Sequence, residues 1–99
     1  MAAYVISEVE ILDENLGENY RALAARSISE YGGKYIVRGA QAIVAEGAAT
    51  NRRIVIVEFP SMEHLQKWYN SPGYAEALKI RASALDRRLI FVEGIIPEE

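Results

Sequence analysis

RRIVIVEFPSMEHLQKWYNSPGY, residues 52–74, is the stretch on which the fold turns. Its opening run, 52–59, is rich in β-branched and apolar residues and is closed by Pro60, so it reads as a strand. Ser61 is a good N-cap for a helix over about 62–70, and Glu63 lies in the first turn, where the helix dipole favours a carboxylate. Ser71-Pro72 then restarts the helical pattern, because serine caps and proline suits the first helical position. That second segment runs to about Asp86.

Outward from this stretch the pattern is regular. Residues 4–11, YVISEVEI, form a first strand, and Asp13 caps the helix after it. Leu16, Tyr20, Leu23, Ala24, Ser27, Ile28 and Tyr31 recur at three- and four-residue spacing along one helix face. Gly32-Gly33 ends that helix. Lys34 to Arg38 is a second strand, stopped by Gly39; Ala42 to Glu46 is either a short extension or a hairpin arm, and Gly47 to Asn51 is a turn. Residues 88–95, RLIFVEGI, make the last strand, and Pro97-Glu98-Glu99 reads as a loose tail.

The order is β-α-β-β-α-β, which predicts an α+β, ferredoxin-like fold: a four-stranded antiparallel sheet with its helices on one face. A sheet covered on one side should alternate apolar and polar residues along each strand. Ile54-Val55-Ile56-Val57 and Leu89-Ile90-Phe91-Val92 do not alternate, so both faces of these strands call for burial. The expected remedy is a second copy packed sheet to sheet across a two-fold axis, giving a homodimeric α/β barrel.

Composition narrows the functional classes. The 99 residues are expected to form one domain, 1–99, with 11 basic and 14 acidic side chains and a net charge of −3. With no basic run, no nucleic-acid partner is expected. No cysteine is present, which removes disulfides and thiolate chemistry together. MAAYVISEVEI has no basic n-region and breaks its apolar run with Ser7, Glu8 and Glu10, so no membrane segment is expected and a cytoplasmic location is the default. One histidine cannot build a histidine-rich metal centre, and the carboxylates carry no metal-ligand spacing. GxGxxG, GxxxxGK[ST] and GxSxG are all missing, so neither a cofactor nor a serine nucleophile is expected.

GGKYIVRG at 32–39, EG at 46–47, residues 52–74, Arg81 and the VEG at 92–94 together resemble the domain-of-unknown-function family 1330. The resemblance covers almost the whole chain. It implies a dimeric, ferredoxin-like α/β barrel without an assigned role. Its wider structural relatives include cofactor-free monooxygenases, muconolactone isomerase-like enzymes and small-molecule-binding proteins, and a fold does not fix a reaction. His64 departs from the bland residue expected there, and no role is carried onto it.

The candidate site residues follow from chemistry. His64 lies about 160° around the helix from Met62. Met62, Leu65 and Tyr69 mark the buried face, so His64 is expected on the surface. Trp68, at the margin of that face, is either core or one wall of an apolar pocket. Tyr74 and Arg81, seven residues apart, are expected on one side of the second helical segment, where an arginine pairs, snorkels or binds an anion. Glu58 is the one charge within 54–59, expected to pair with Arg38 or Arg81 or to serve as a catalytic acid/base. Arg38, Trp68, Tyr74 and Arg81 are the expected ligand-binding residues, lining a small apolar cavity between the sheet and the second helical region. The residues leave open whether the chain is an enzyme using cofactor-independent acid/base or oxidative chemistry on a small organic molecule. The other reading is a binding or assembly module whose polar residues serve the dimer interface.

Overall fold

β1 (Ala3–Ile11) takes a central place in a four-stranded sheet of order β2-β3-β1-β4, antiparallel at every pairing. The computed structural model describes residues 1–96, so the expected tail at 97–99 lies outside the described residues. The remaining elements are α1 (Glu14–Glu30), β2 (Lys34–Gln41), β3 (Arg53–Phe59), α2 (Met62–Tyr69), α3 (Pro72–Ala84) and β4 (Leu85–Glu93). This is the ferredoxin-like βαββαβ arrangement, with its second helical region split in two. No helix among the described residues is long and apolar enough to cross a membrane.

The caps form as the sequence predicts. Asp13, Ser61 and Ser71 each accept a hydrogen bond from the backbone N–H three residues on, at 3.0, 3.1 and 3.1 Å. Pro72 opens α3. At the far end of α1 the backbone passes so close to the core that only glycine fits at position 33. A Cβ there would stand 2.7 Å from Ile28 Cγ2 and 2.7 Å from the Phe59 ring.

Three boundaries differ from the sequence reading. β2 continues past Gly39 to Gln41, because Gly39 takes a φ of +86° and the ladder with β3 slips through two irregularities rather than ending. The stretch 42–46 forms neither helix nor strand and belongs to an exposed loop. β4 begins at Leu85 instead of 88 and ends at Glu93. Leu85 N–H makes the last helical bond, to the Arg81 carbonyl, while Leu85 itself is already extended (φ −156°, ψ 155°). Helix passes into strand with no turn between them. The junction is fixed by two N–H groups, of Leu12 and Asp13, that both donate to the Ala84 carbonyl at 2.9 and 3.2 Å.

Alternation then sorts the sheet into two faces. Ala3, Val5, Ser7 and Val9 of β1 are buried on the helix side, with Val57, Phe59 and Leu85 from the flanking strands. Tyr4, Ile6, Ile54, Ile56 and Ile90 occupy the other face and are only half-buried. Ile36 and Val92 on the edge strands are 50% and 39% exposed. The absence of alternation in 54–57 thus corresponds to one covered apolar face and one open apolar face. The molecule is flat to match, 44 × 39 × 15 Å, two layers thick.

Candidate functional site

A cavity of about 440 Å³ lies between the covered face of the sheet and the helices, within the range of about 300–1,000 Å³ usual for small-molecule sites. Its floor is Val5, Ser7 and Val9 of β1, Val55 and Val57 of β3, and Leu85, Arg87 and Leu89 of β4. Tyr20, Ala24 and Ile28 of α1 cover it, Trp68 of α2 closes one side, and Tyr35 and Arg38 of β2 stand at the edge of the sheet.

The polar chemistry concentrates at one cluster. The Tyr20 and Tyr74 hydroxyls lie 2.5 Å apart. Arg87 donates to both, from Nη1 to Tyr20 at 2.5 Å and from Nη2 to Tyr74 at 2.7 Å. Its guanidinium also sits 5.4 Å from the Tyr20 ring centre, within cation–π range. Burial pushes the pKa of Tyr20 far above the usual tyrosine range, Tyr74 adds to this, and Arg87 opposes it. Tyr20 is therefore a neutral donor at ordinary pH. Burial works against the charge of Arg87, but the two tyrosine oxygens outweigh it and hold its pKa above the usual value.

Trp68 is anchored beside this cluster. Its indole N–H donates to Ser27 Oγ at 3.0 Å, and Ser27 in turn donates to the Ala24 carbonyl at 2.9 Å. Its ring centre lies 4.2 Å from that of Tyr74 and 5.3 Å from that of Phe59. Strand end, helix and second helix start in 58–74 thereby join into one aromatic wall. On the floor, Ser7 presents the exception: it is 4% exposed and its hydroxyl has no hydrogen-bond partner. Buried hydroxyls are nearly always paired, and this one has no protein partner.

The expected site residues divide. Trp68 and Arg38 line the cavity, and Arg38 is exposed, its guanidinium stacked 4.2 Å over the Tyr35 ring. Tyr74 stands behind the wall, fully buried, reaching the site through Tyr20 and Arg87. Arg81 does not line the cavity and makes no side-chain hydrogen bond or ion pair among the described residues; the arginine that Tyr74 meets is Arg87. Glu58 also lies outside. Alternation places it with Ile54 and Ile56 on the open face, where it pairs with Lys34 at 3.2 Å rather than with Arg38 or Arg81. There its carboxylate raises the pKa of Tyr4, its partner across the ladder. His64 is exposed, its Nδ1 2.7 Å from Ser61 Oγ at the helix cap. Groups of three or more potential metal ligands do not occur among the described residues.

Tyr20, Arg87 and Ser7 were not singled out by sequence. Tyr20 sat inside an apolar helical stripe and looked like core. Arg87 fell between a helix ended at 86 and a strand begun at 88. The one available signal was Ser7, whose parity with Val5 and Val9 puts a hydroxyl on the apolar side of β1.

Solved structures share this fold at low identity. A protein of unknown function from Rhodopseudomonas palustris is 22% identical, covering 97% of this chain and 84% of that one, with a TM-score of 0.77. A dimeric ferredoxin-like protein of unknown function from Jannaschia sp. CCS1 is 11% identical over 95% of this chain and 100% of that one, TM-score 0.71. SnoaB, a cofactor-independent oxygenase from Streptomyces nogalater, is 11% identical over 97% and 95%, TM-score 0.67. Among curated proteins, none matches the chain. The profile of the family described as "Domain of unknown function (DUF1330)" matches residues 2–95.

Proposed function

Because the chain belongs to the DUF1330 family, whose description assigns no activity, we propose its function from the cavity itself: each protomer of a homodimer binds a small organic molecule between the sheet and α1. The observation that carries this reading is the lining. An apolar cavity of about 440 Å³ ends at an arginine holding two tyrosine hydroxyls, and a buried serine beside them lacks a partner. Apolar walls with a few converging polar groups are the usual composition of a small-molecule site.

Trp68 is the one tryptophan of the chain and lines the cavity, so its fluorescence reports occupancy directly. Titration with small aromatic compounds should give saturable quenching at one site per chain. Filling the space with Ala24→Phe should abolish it. Unchanged saturation in a folded Ala24→Phe variant would move the site elsewhere.

The open face supports the dimer. Ile6, Ile54, Ile56 and Ile90 form a continuous apolar surface there, and the Jannaschia relative is described as dimeric. On this reading Glu58–Lys34 and Glu8–Arg88 (3.2 Å each) are interface pairs, which favours an assembly role for the polar residues of this face. Ile56→Lys should give a folded monomer by sedimentation, whereas a wild-type monomer under the same conditions would remove the barrel.

Turnover is the second reading, favoured by the donor cluster. Preorganised donors aimed at one point can hold charge that develops on a substrate oxygen. SnoaB shows that a fold of this kind can carry oxygenase chemistry without a cofactor. Conversion of a bound compound under air, lost in Tyr20→Phe, would establish it.

A further inference from the structure

We infer that the ligand of this cavity is an anion: a small, largely apolar organic acid whose oxyanion is held by Arg87, Tyr20 and Ser7. The inference rests on the small-molecule reading above and specifies its chemistry.

Arg87 donates to both tyrosine oxygens, and the two hydroxyls bond each other. Two O–H hydrogens are therefore available and the contact between the tyrosines uses one. Tyr74 is fully buried and does not line the cavity, whereas Tyr20 does. A spare hydrogen on Tyr74 would be buried without an acceptor, at a cost of about 1–3 kcal/mol. Tyr74 thus donates to Tyr20, and the Tyr20 hydrogen points to the cavity. Burial, with Tyr74 adding to it and Arg87 opposing, keeps Tyr20 protonated. The site offers a hydrogen and needs an acceptor.

Ser7 supplies an independent observation. Its register partner on β4 is Leu89, and Val9 opposite Arg87 is the next residue on the same face. Ser7 and Arg87 are then diagonal neighbours, with Cα atoms about 7–8 Å apart in such a pair. A ligand atom lying over this face of the two paired strands is within reach of both side chains. Of the five donor hydrogens on Arg87, those not given to the tyrosines remain for it.

Charge decides between a neutral acceptor and an anion. Arg21, Arg38, Arg53 and Arg87 line the cavity against one carboxylate, Glu14. This positive lining belongs to a chain whose net charge is −3, so it is a local arrangement rather than a reflection of composition. A charge-assisted bond from arginine to an oxyanion is about twice as strong as its neutral counterpart. Both carboxylates and phenolate- or enolate-type anions present the required oxygen.

Calorimetric titration with matched probes tests the assignment: 4-nitrobenzoate against its methyl ester, and 4-nitrophenol against 4-nitroanisole. The anion of at least one pair should bind about tenfold or more tightly than its neutral partner, with the pair that discriminates identifying the type of acid. Arg87→Met should level that preference, and Tyr20→Phe, which keeps the ring, should reduce it if the arginine variant does not fold. For 4-nitrophenol, the yellow phenolate should appear on binding at a pH where the free probe is mostly protonated. Equal affinity for charged and neutral partners overturns the anion assignment and leaves the cavity reading standing. Failure of all four probes to bind or to quench Trp68 overturns both.

Discussion

Arg87 and Tyr74 meet at 2.7 Å although one belongs to a strand and the other to the helix before it, thirteen positions earlier in the chain. The same guanidinium reaches Tyr20 on α1. One side chain thereby ties α1, α3 and β4 together at the end of the cavity.

The three groups should behave as a coupled unit. Arg87→Met leaves both tyrosine oxygens without their charged donor and should destabilise the fold by about 1–3 kcal/mol. Tyr74→Phe should cost about 1–2 kcal/mol, and the double variant less than the sum of the two. Urea denaturation of the four-member cycle measures the coupling, expected within about 0.5–3 kcal/mol. Strict additivity would mean that the contacts act separately.

Alkaline pH should weaken the fold through Tyr20. Its folded pKa is raised above the ordinary 10.0. Below that value both folded and unfolded chains keep the proton, and the contribution is fully present. Above it the unfolded chain releases the proton while the folded chain retains it, so stability falls as pH rises. Burial also raises Tyr35, and Glu58 raises Tyr4, which act in the same direction. Comparing wild type with Tyr20→Phe in denaturation series on either side of pH ~10 isolates the Tyr20 share, and the variant should show the shallower loss.

Ser7→Ala should separate stability from binding. Removing a buried hydroxyl that has no partner relieves a desolvation cost, so the variant should match or exceed wild-type stability by up to about 1 kcal/mol. Affinity for the ligand should fall. A melting point well below wild type would show that Ser7 serves the fold after all.

Gly33→Ala should be costly for a reason unrelated to backbone freedom. The new methyl would meet Ile28 and Phe59, two buried core side chains, at 2.7 Å. Overpacking of this kind costs typically about 1–3 kcal/mol. A thermal melt is sufficient to detect it.

Much of the fold was legible because its signals are local. Asp13, Ser61, Ser71 and Pro72 announce helix starts by side-chain chemistry that needs no tertiary context. The run 54–57 announced two apolar faces, since a strand cannot place four consecutive apolar residues on one side. The α3–β4 boundary carried no such signal. Ala82-Ser83-Ala84-Leu85 contains no breaker, and the helix ends there because β1 pairs with β4 as far as Ile11–Leu85. A strand read from 88 rather than from Leu85 leaves Arg87 without a face. It also leaves Tyr74 facing Arg81 along the helix, where the true partner arrives from the next strand. Glu58 misled differently: a lone carboxylate in an apolar strand resembles a site residue, and its parity alone could not say which face the cavity would use.

The turnless passage from Ala84 to Leu85 makes chain length itself a determinant of recognition. Side chains alternate along β4, so the count of residues from the helix end decides which of Asp86 and Arg87 looks inward. One inserted residue at that junction, if it slides β4 by one position against β1, would place Asp86 opposite Val9 on the cavity side and turn Arg87 outward. The cationic end of the site would become a carboxylate without a single side chain having been substituted. Chains that differ by one residue at this joint can thus share a fold and differ in the group that meets the ligand.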